Sequence, residues 1–469
     1  MKTLQSRRIL GGELPTPGFP GGELRGAASP GRWLLRARAR VPRLRGSGLL
    51  ALSVALCVWP CLGQEWTRFR GPNGTGISHA TTIPSHLTDA DLNWKVELPG
   101  MGHSSPVLWG ERIFLTSSGD KSGGIFVLCL DVKDGRLLWH HDFSLEPFPR
   151  HPFNSYASST PAVDAQRVYV VWNEPEHYVL CAVDHDGKLA WQRDFGPFVS
   201  QHGCGISPIV YQDKVILGNE QDDPQFVKGS ARSGKSFIVA VDASTGKTLW
   251  QTPRRSAVVA YATPCVYEPK RGKPVLIFGS QGHGIYGVNP ETGKILWDYE
   301  QAFDKRCVSS PVIAGDIILG SCGSGGGGNV VAAVRPGDAT IGRKSELVYQ
   351  LKKSAPYVPT GVAMGAQVWL WSDSGIVTCL DAASGAIRYQ ERAGGDYFGS
   401  PVWVEGRLFC VSTAGELVVL EASDRFNVLH RYPLHELCHS TPAVALGRLF
   451  IRTEKHLWSL GGAKTSAAR

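Results

Sequence analysis

Ser207-Pro208-Ile209-Val210-Tyr211, followed downstream by Ala240-Val241-Asp242-Ala243-Ser244-Thr245-Gly246-Lys247-Thr248-Leu249-Trp250, is the stretch that decides the fold. Its first part, Ser or Thr then Pro then a short β-branched run, begins again at Ser105, Thr160, Thr263, Ser310, Thr360 (with Gly361 in place of Pro), Ser400 and Thr441. Its second part sets Asp or Asn, Gly and an aromatic in register at Asp131-Gly135-Trp139, Asp184-Gly187-Trp191, Asn289-Gly293-Trp297 and Asp381-Gly385-Tyr389. Successive first phrases are 55, 47, 56, 47, 50, 40 and 41 residues apart. That is the period of a four-stranded propeller blade.

Asp at the head of the second phrase suits a turn because its carboxylate accepts nearby N–H groups, and Gly supplies positive φ. Trp139, Trp191, Trp250 and Trp297 are then expected at the seams between blades, where each brings a large apolar face and one N–H donor. Asn93-Trp94-Lys95-Val96-Glu97-Leu98 matches the Trp-bearing strand but follows no Ser-Pro phrase, while the last copy, Thr441 to Leu460, lacks that strand. Together they make one blade. The expected fold is therefore all-β, an eight-bladed propeller of four-stranded blades closed by an N-terminal strand, which removes the free edges of an open array. Blade five departs through a longer loop at Arg335 to Ser345, and blade seven ends through Ser423 to His430 without the aromatic.

Four segments are expected: a basic leader and signal peptide over 1–63, an irregular arm over 64–91, the propeller over 92–462 and a disordered tail over 463–469. The apolar run 49–59 is too short to span a membrane, which takes about 20 residues. Behind a basic stretch, it has the proportions of a signal-peptide core. Export to the periplasm or another extracytoplasmic space follows, with no transmembrane segment in the mature chain.

The net charge is +8, and residues 1–48 account for all of it with ten Lys or Arg against two acids. A formally neutral body lacks the basic face that phosphate attraction needs, so nucleic acid is discounted as a partner. Eleven cysteines in 469 residues are too few for a disulfide scaffold and read as small buried hydrophobes.

Ala240 to Trp250 resembles the eleven-residue repeat of PQQ-like β-propellers, a likeness extending over roughly residues 92 to 462. Phe69-Arg70-Gly71-Pro72 is also similar to the arm of many exported bacterial members. That family includes quinoprotein dehydrogenases and outer-membrane assembly lipoproteins similar to the β-barrel assembly factor. Quinoprotein alcohol dehydrogenases carry adjacent cysteines under the cofactor, and no Cys-Cys pair or Cys-x-x-Cys-His haem motif occurs here. The resemblance therefore implies a non-catalytic, exported scaffold, a monomeric ring that binds a protein or envelope partner through its loop-rich face and carries no cofactor. The alternative is an oxidoreductase, with PQQ and Ca²⁺ in the funnel. A sugar- or sulfated-glycan-binding module draws on the Trp and Tyr content, most of which the seams already use.

The loops entering each innermost strand and those between second and third strands are expected on one face, at the channel mouth. His103, Tyr156, His202, Tyr261, Tyr357, Tyr397 and His439 lie there and are the candidate binding residues, with Cys204, Cys307 and Cys438 beside them. There is no Cys-x-x-Cys pair and no His-x-x-x-His on a helix, so the spacing does not support a metal. Glu174, Glu176, Glu220, Asp222 and Asp223 in the same loops are expected to be solvated.

Overall fold

The computed structural model describes residues 66–119, 124–223, 225 and 235–462. The leader and signal-peptide expectation and the C-terminal tail lie outside them. Eight sheets form the ring, each strand antiparallel to its neighbours, apart from one added parallel strand. Blade 1 comprises Val107–Trp109, Arg112–Ser118, Ile125–Asp131 and Leu137–Phe143. Blades 2 to 7 repeat this order over 162–194, 209–253, 265–299, 312–351, 362–392 and 402–433. Blade 8 takes its three inner strands from 443–460 and its outermost from Leu92–Glu97, which pairs antiparallel with His456–Leu460. The N-terminal strand thus closes the ring as the repeat count requires.

In the two middle strands of each blade nearly every residue is buried, because neighbouring sheets cover both faces; the outermost strand alternates exposed and buried positions. In every blade the third-to-fourth ladder slips register just before the aromatic, as where Ala240 faces Trp250 but Val241 faces Thr248. Such a bulge re-aims the next side chain. Here it turns the ring toward the following blade. The indoles of Trp94, Trp139, Trp191 and Trp250 donate to the carbonyls of Val132, His185, Ala243 and Pro290 at 2.7–3.0 Å, each one residue past the Asp or Asn of the next turn. In blade 7 the bulge presents His430, which bonds the Leu87 carbonyl at 2.6 Å.

The turn glycine serves this seam twice. Gly246 sits at φ 69°, and a Cβ there would lie 2.6 Å from Cε3 of Trp191. No other residue leaves room for the indole. Trp191→Ala should therefore cost roughly 3–5 kcal/mol, as for buried aromatic truncations, and Gly246→Ala should also lower the denaturation midpoint. Unchanged urea midpoints for both would remove the seam role.

A second set of contacts runs round the channel. The backbone N–H of each repeat-initial Ser or Thr donates to the hydroxyl of the next: Ser105 to Thr160, Thr160 to Ser207, Ser207 to Thr263, and so on to Thr441, whose N–H reaches Ser105. These eight bonds, 2.9–3.3 Å long, form a closed belt. Thr263→Val keeps the shape but leaves the buried Ser207 N–H without an acceptor, at a cost of about 1–3 kcal/mol. Thr263→Ser keeps the acceptor and should be milder, so equal denaturation midpoints for the two would contradict the belt.

The segment ahead of blade 8 is ordered and carries more than turns. The carbonyls of Trp66 and Thr67 accept from Leu108 and Val163 of blades 1 and 2, both at 2.8 Å. Arg68 donates to the Pro264 carbonyl of blade 4, and Asn73 makes two 2.7 Å bonds with the backbone of Val266. Arg70 reaches Gly361 of blade 6 at 2.7 Å and Pro401 of blade 7 at 2.9 Å, and Ile77–Ser78 adds a parallel strand beside Trp403 and Val404. A segment bonded to inner strands on opposite sides of a ring lies across its channel. Beyond Ser78 it runs along blades 7 and 8, where Thr82 donates to Gly447 and Ile83 accepts from Arg407, and so delivers the closing strand.

Candidate functional site

With one end of the channel crossed by this arm, the other opens into a cavity of about 1380 Å³. Phe69 of the arm and the belt residues other than Ser310 form its floor, and the loops entering each blade form its wall. The residue two before each repeat-initial Ser or Thr lines it in all eight blades, from His103 and Ser158 round to Phe398 and His439. The residue three before faces the other way in most blades. Cys204, Cys307, Tyr397 and Cys438 at that offset are buried in the blade packing.

This division sorts the candidates. His103, Tyr261 and His439 occupy the lining offset, and His202 and Tyr357 also reach the cavity. Tyr397 does not: it is fully buried against Trp371, ring centroids 5.1 Å apart. Tyr156 stands behind the wall, its hydroxyl donating to the Phe148 carbonyl at 2.6 Å and accepting the Phe148 N–H at 3.0 Å, with the Arg150 guanidinium over its ring. All nine cysteines among the described residues are buried and unbridged.

The expectation that the loop acids are simply solvated fails at two of them. Asp222 is fully buried and accepts from the N–H groups of Gln201 at 2.6 Å and Val259 at 2.5 Å, with Arg306 at 3.7 Å. It ties the loops of blades 3 and 4 to a cation from blade 5. Glu220 accepts the Tyr286 hydroxyl at 2.6 Å, and its burial pushes the carboxyl up. Buried acids survive in loops when such donors replace water.

Two histidine pairs stand edge to face on the cavity wall, His103 with His439 at 4.5 Å between centroids and His151 with His202 at 4.8 Å. Burial, then His439 and after it the Arg452 and Arg150 guanidinium groups, holds His103 well below its ordinary value; burial lowers His439 as well. His202 is lowered to about 4 by burial first, then by Arg306 and His151. His103, His202 and His439 fold neutral. As pH falls below 6.5 the unfolded chain takes up protons that the native histidines refuse, so stability drops until about pH 4. His202→Gln should flatten thermal melting against pH within that window; an unaltered slope would place the acid sensitivity elsewhere.

The sequence reading missed Arg150, Arg306, Phe153 and Phe398. Phe398 carried a signal in its offset from Ser400, whereas Phe153 reaches the site through the 18-residue length of the loop joining blades 1 and 2, between Phe143 and Ala162. Its ring meets Phe398 at 5.4 Å and His439 at 6.5 Å, bridging from blade 2 to the loops of blades 7 and 8.

A family model described as outer membrane protein assembly factor BamB matches residues 127–391 and 327–431. The chain belongs to that family. Among solved structures, BamB from Moraxella catarrhalis superposes with TM-score 0.53 at 14% identity, covering 80% of this chain and 99% of that one. A europium-containing methanol dehydrogenase gives TM-score 0.60 at 12% identity over 83% and 90% of the two chains. At such identities these likenesses show the fold alone. A polyvinylalcohol dehydrogenase from Pseudomonas sp is 27% identical over 191 residues, or 38% of this chain and 28% of that protein. The chain thus matches little more than a quarter of that relative's length.

Dehydrogenase relatives make a quinone with its metal the group to test against these side chains. Arg150, Arg306 and Lys352 would suit a quinone's carboxylates. Among the described residues, however, no three His, Cys, Asp or Glu side chains converge as a metal would require, and no Trp lines the cavity as a stacking platform. The residues present do not fit a metal–quinone pair. The described residues include no helix long and apolar enough to cross a membrane.

Arg70 is the residue on which the arm's placement turns. Fully buried and facing only carbonyls, it is lowered by burial to about 9 and stays charged at neutral pH. Arg70→Met removes the charge but orphans carbonyls of blades 6 and 7, so it should open the arm to limited proteolysis ahead of Ile77. Protease resistance equal to the parent chain would show that the arm is held by other contacts.

Proposed function

We propose that this BamB-family propeller is a non-catalytic scaffold of the cell envelope that binds a protein or other envelope component through the loop face around its cavity. One observation carries the proposal: the rim of the mouth bears an apolar patch in which Phe153 is 61% and Leu437 54% exposed, beside Phe398 and His439. Aromatic and aliphatic anchors around a concavity are what binding hot spots use. Of the tyrosines first singled out, Tyr261 and Tyr357 are wall residues and Tyr156 and Tyr397 do not reach the cavity, so Phe153 and Leu437 replace them as anchors. The export signal expected over 1–63 supports an envelope location, and the family membership supports a protein partner.

A photo-crosslinker at position 153 should trap one envelope component, and Phe153→Ser with Leu437→Ser should abolish capture. Both side chains are exposed, so melting should move little. Undiminished capture by the double variant would sink the proposal. The second reading is a quinone-linked oxidoreductase, favoured by the sequence match to a polyvinylalcohol dehydrogenase. Stoichiometric uptake of PQQ with Ca²⁺, followed by alcohol-dependent dye reduction, would establish it instead.

A further inference from the structure

Four buried polar atoms that make no hydrogen bond within the protein belong to residues of the cavity wall: Nε of Arg150, Nε of Arg306, Nδ1 of His439 and the hydroxyl of Tyr261. Buried donors left unmatched are costly, and a concave site that keeps several of them suits a ligand that supplies the acceptors. The Arg306 side chain is only 12% exposed, and its one carboxylate neighbour, Asp222, stands 3.7 Å away and already accepts two backbone N–H groups. A guanidinium in that position retains donors for a second carboxylate.

The acids on the wall do not cancel this. Asp373 accepts from the N–H groups of Tyr357 at 2.6 Å and Val358 at 3.0 Å, so its charge is already met by backbone donors. Asp396 and Glu454 come from loops of blades 7 and 8, whereas Arg306 is in the loop entering blade 5. The floor is of another kind. Its Ser and Thr hydroxyls each accept one N–H in the belt and, as O–H groups, still have a proton to donate. Above it stand the faces of Phe153, Phe398, Tyr261 and Tyr357.

Hydroxyls below, aromatic faces around and unmatched guanidinium groups between them describe one ligand chemistry. A saccharide offers hydroxyls and apolar C–H faces by turns, and a uronate adds the carboxylate. At about 1380 Å³ the cavity exceeds the usual small-molecule pocket and takes more than one sugar ring. We propose that it binds an acidic oligosaccharide, with Arg306 and Arg150 meeting its carboxylates and the aromatic wall its ring faces. This rests on the binding role given to the loop face above, and names the chemistry of what that face takes.

The test is titration calorimetry of the full chain with tetragalacturonate, neutral galactotetraose and citrate. Tetragalacturonate should bind, and galactotetraose and citrate should bind at least roughly tenfold more weakly, since charge-assisted bonds discriminate on that scale. Arg306→Gln should weaken tetragalacturonate roughly tenfold or more. Because that change also strips Asp222 of its cation, Arg150→Gln is the second variant; it should weaken binding likewise with unchanged melting. Equal binding of the neutral sugar would overturn the carboxylate role, and citrate binding as tightly as tetragalacturonate would overturn the saccharide. No heat with any of the three would overturn the site. If crosslinking at position 153 persisted in that last case, only the acidic-saccharide assignment would fall; if it vanished too, the binding role of the whole face would go with it.

Discussion

Everything in this molecule depends on the belt in which each repeat-initial N–H finds the hydroxyl of the following repeat. Innermost strands in a ring point a row of backbone groups at the channel, and buried backbone donors must be paired. A Ser or Thr at the start of every inner strand solves this locally, because the hydroxyl is an acceptor at a fixed distance from its own backbone. Pro follows in seven of the eight repeats, adding no further donor. The chain of bonds has a direction and returns to its start, so no blade is an end. The indole bonds at the circumference do the same job at larger radius.

The arm completes what the belt cannot. Carbonyls of inner strands on the far side of the channel still need donors, and three guanidinium or amide side chains within a few residues, Arg68, Arg70 and Asn73, supply them. Burying Arg68 and Arg70 without carboxylates lowers both, to about 10 and about 9, yet leaves them charged at physiological pH. Multiple carbonyl contacts make that burial tolerable. One segment therefore stops the channel, supports the cavity floor through Phe69 and continues into the closing strand.

Blade number, strand order and ring closure were legible because each rests on a local rule repeated at a fixed period. The seams were legible for the same reason, since Gly246 and Trp191 sit at constant offsets from their turns even though they touch across blades. The site was legible only in part. His103, Tyr261 and His439 were found among residues collected at mixed offsets; separating the offset of two from the offset of three excludes Tyr397 and brings in Phe398. Other features have no periodic signature. Phe153 reaches the rim on a long loop, Arg306 is placed by Asp222 from another blade, and Arg70 works through carbonyls that any residue could carry. Non-local pairing of this kind leaves no spacing to read.

The separation of those two offsets has a consequence for how such rings change over time. A side chain three before the belt residue is held by the blades around it, and altering it disturbs packing. One two before it lines the cavity, where its contacts are with other wall residues, as between His103 and His439. Each repeat therefore carries one position that can be rewritten with small effect on the architecture, and the eight together behave as a word whose letters are read against their neighbours, as His439 is against His103 and Phe398. A new ligand preference could be reached through successive single substitutions on an unchanged frame, with folding stability nearly neutral along the way.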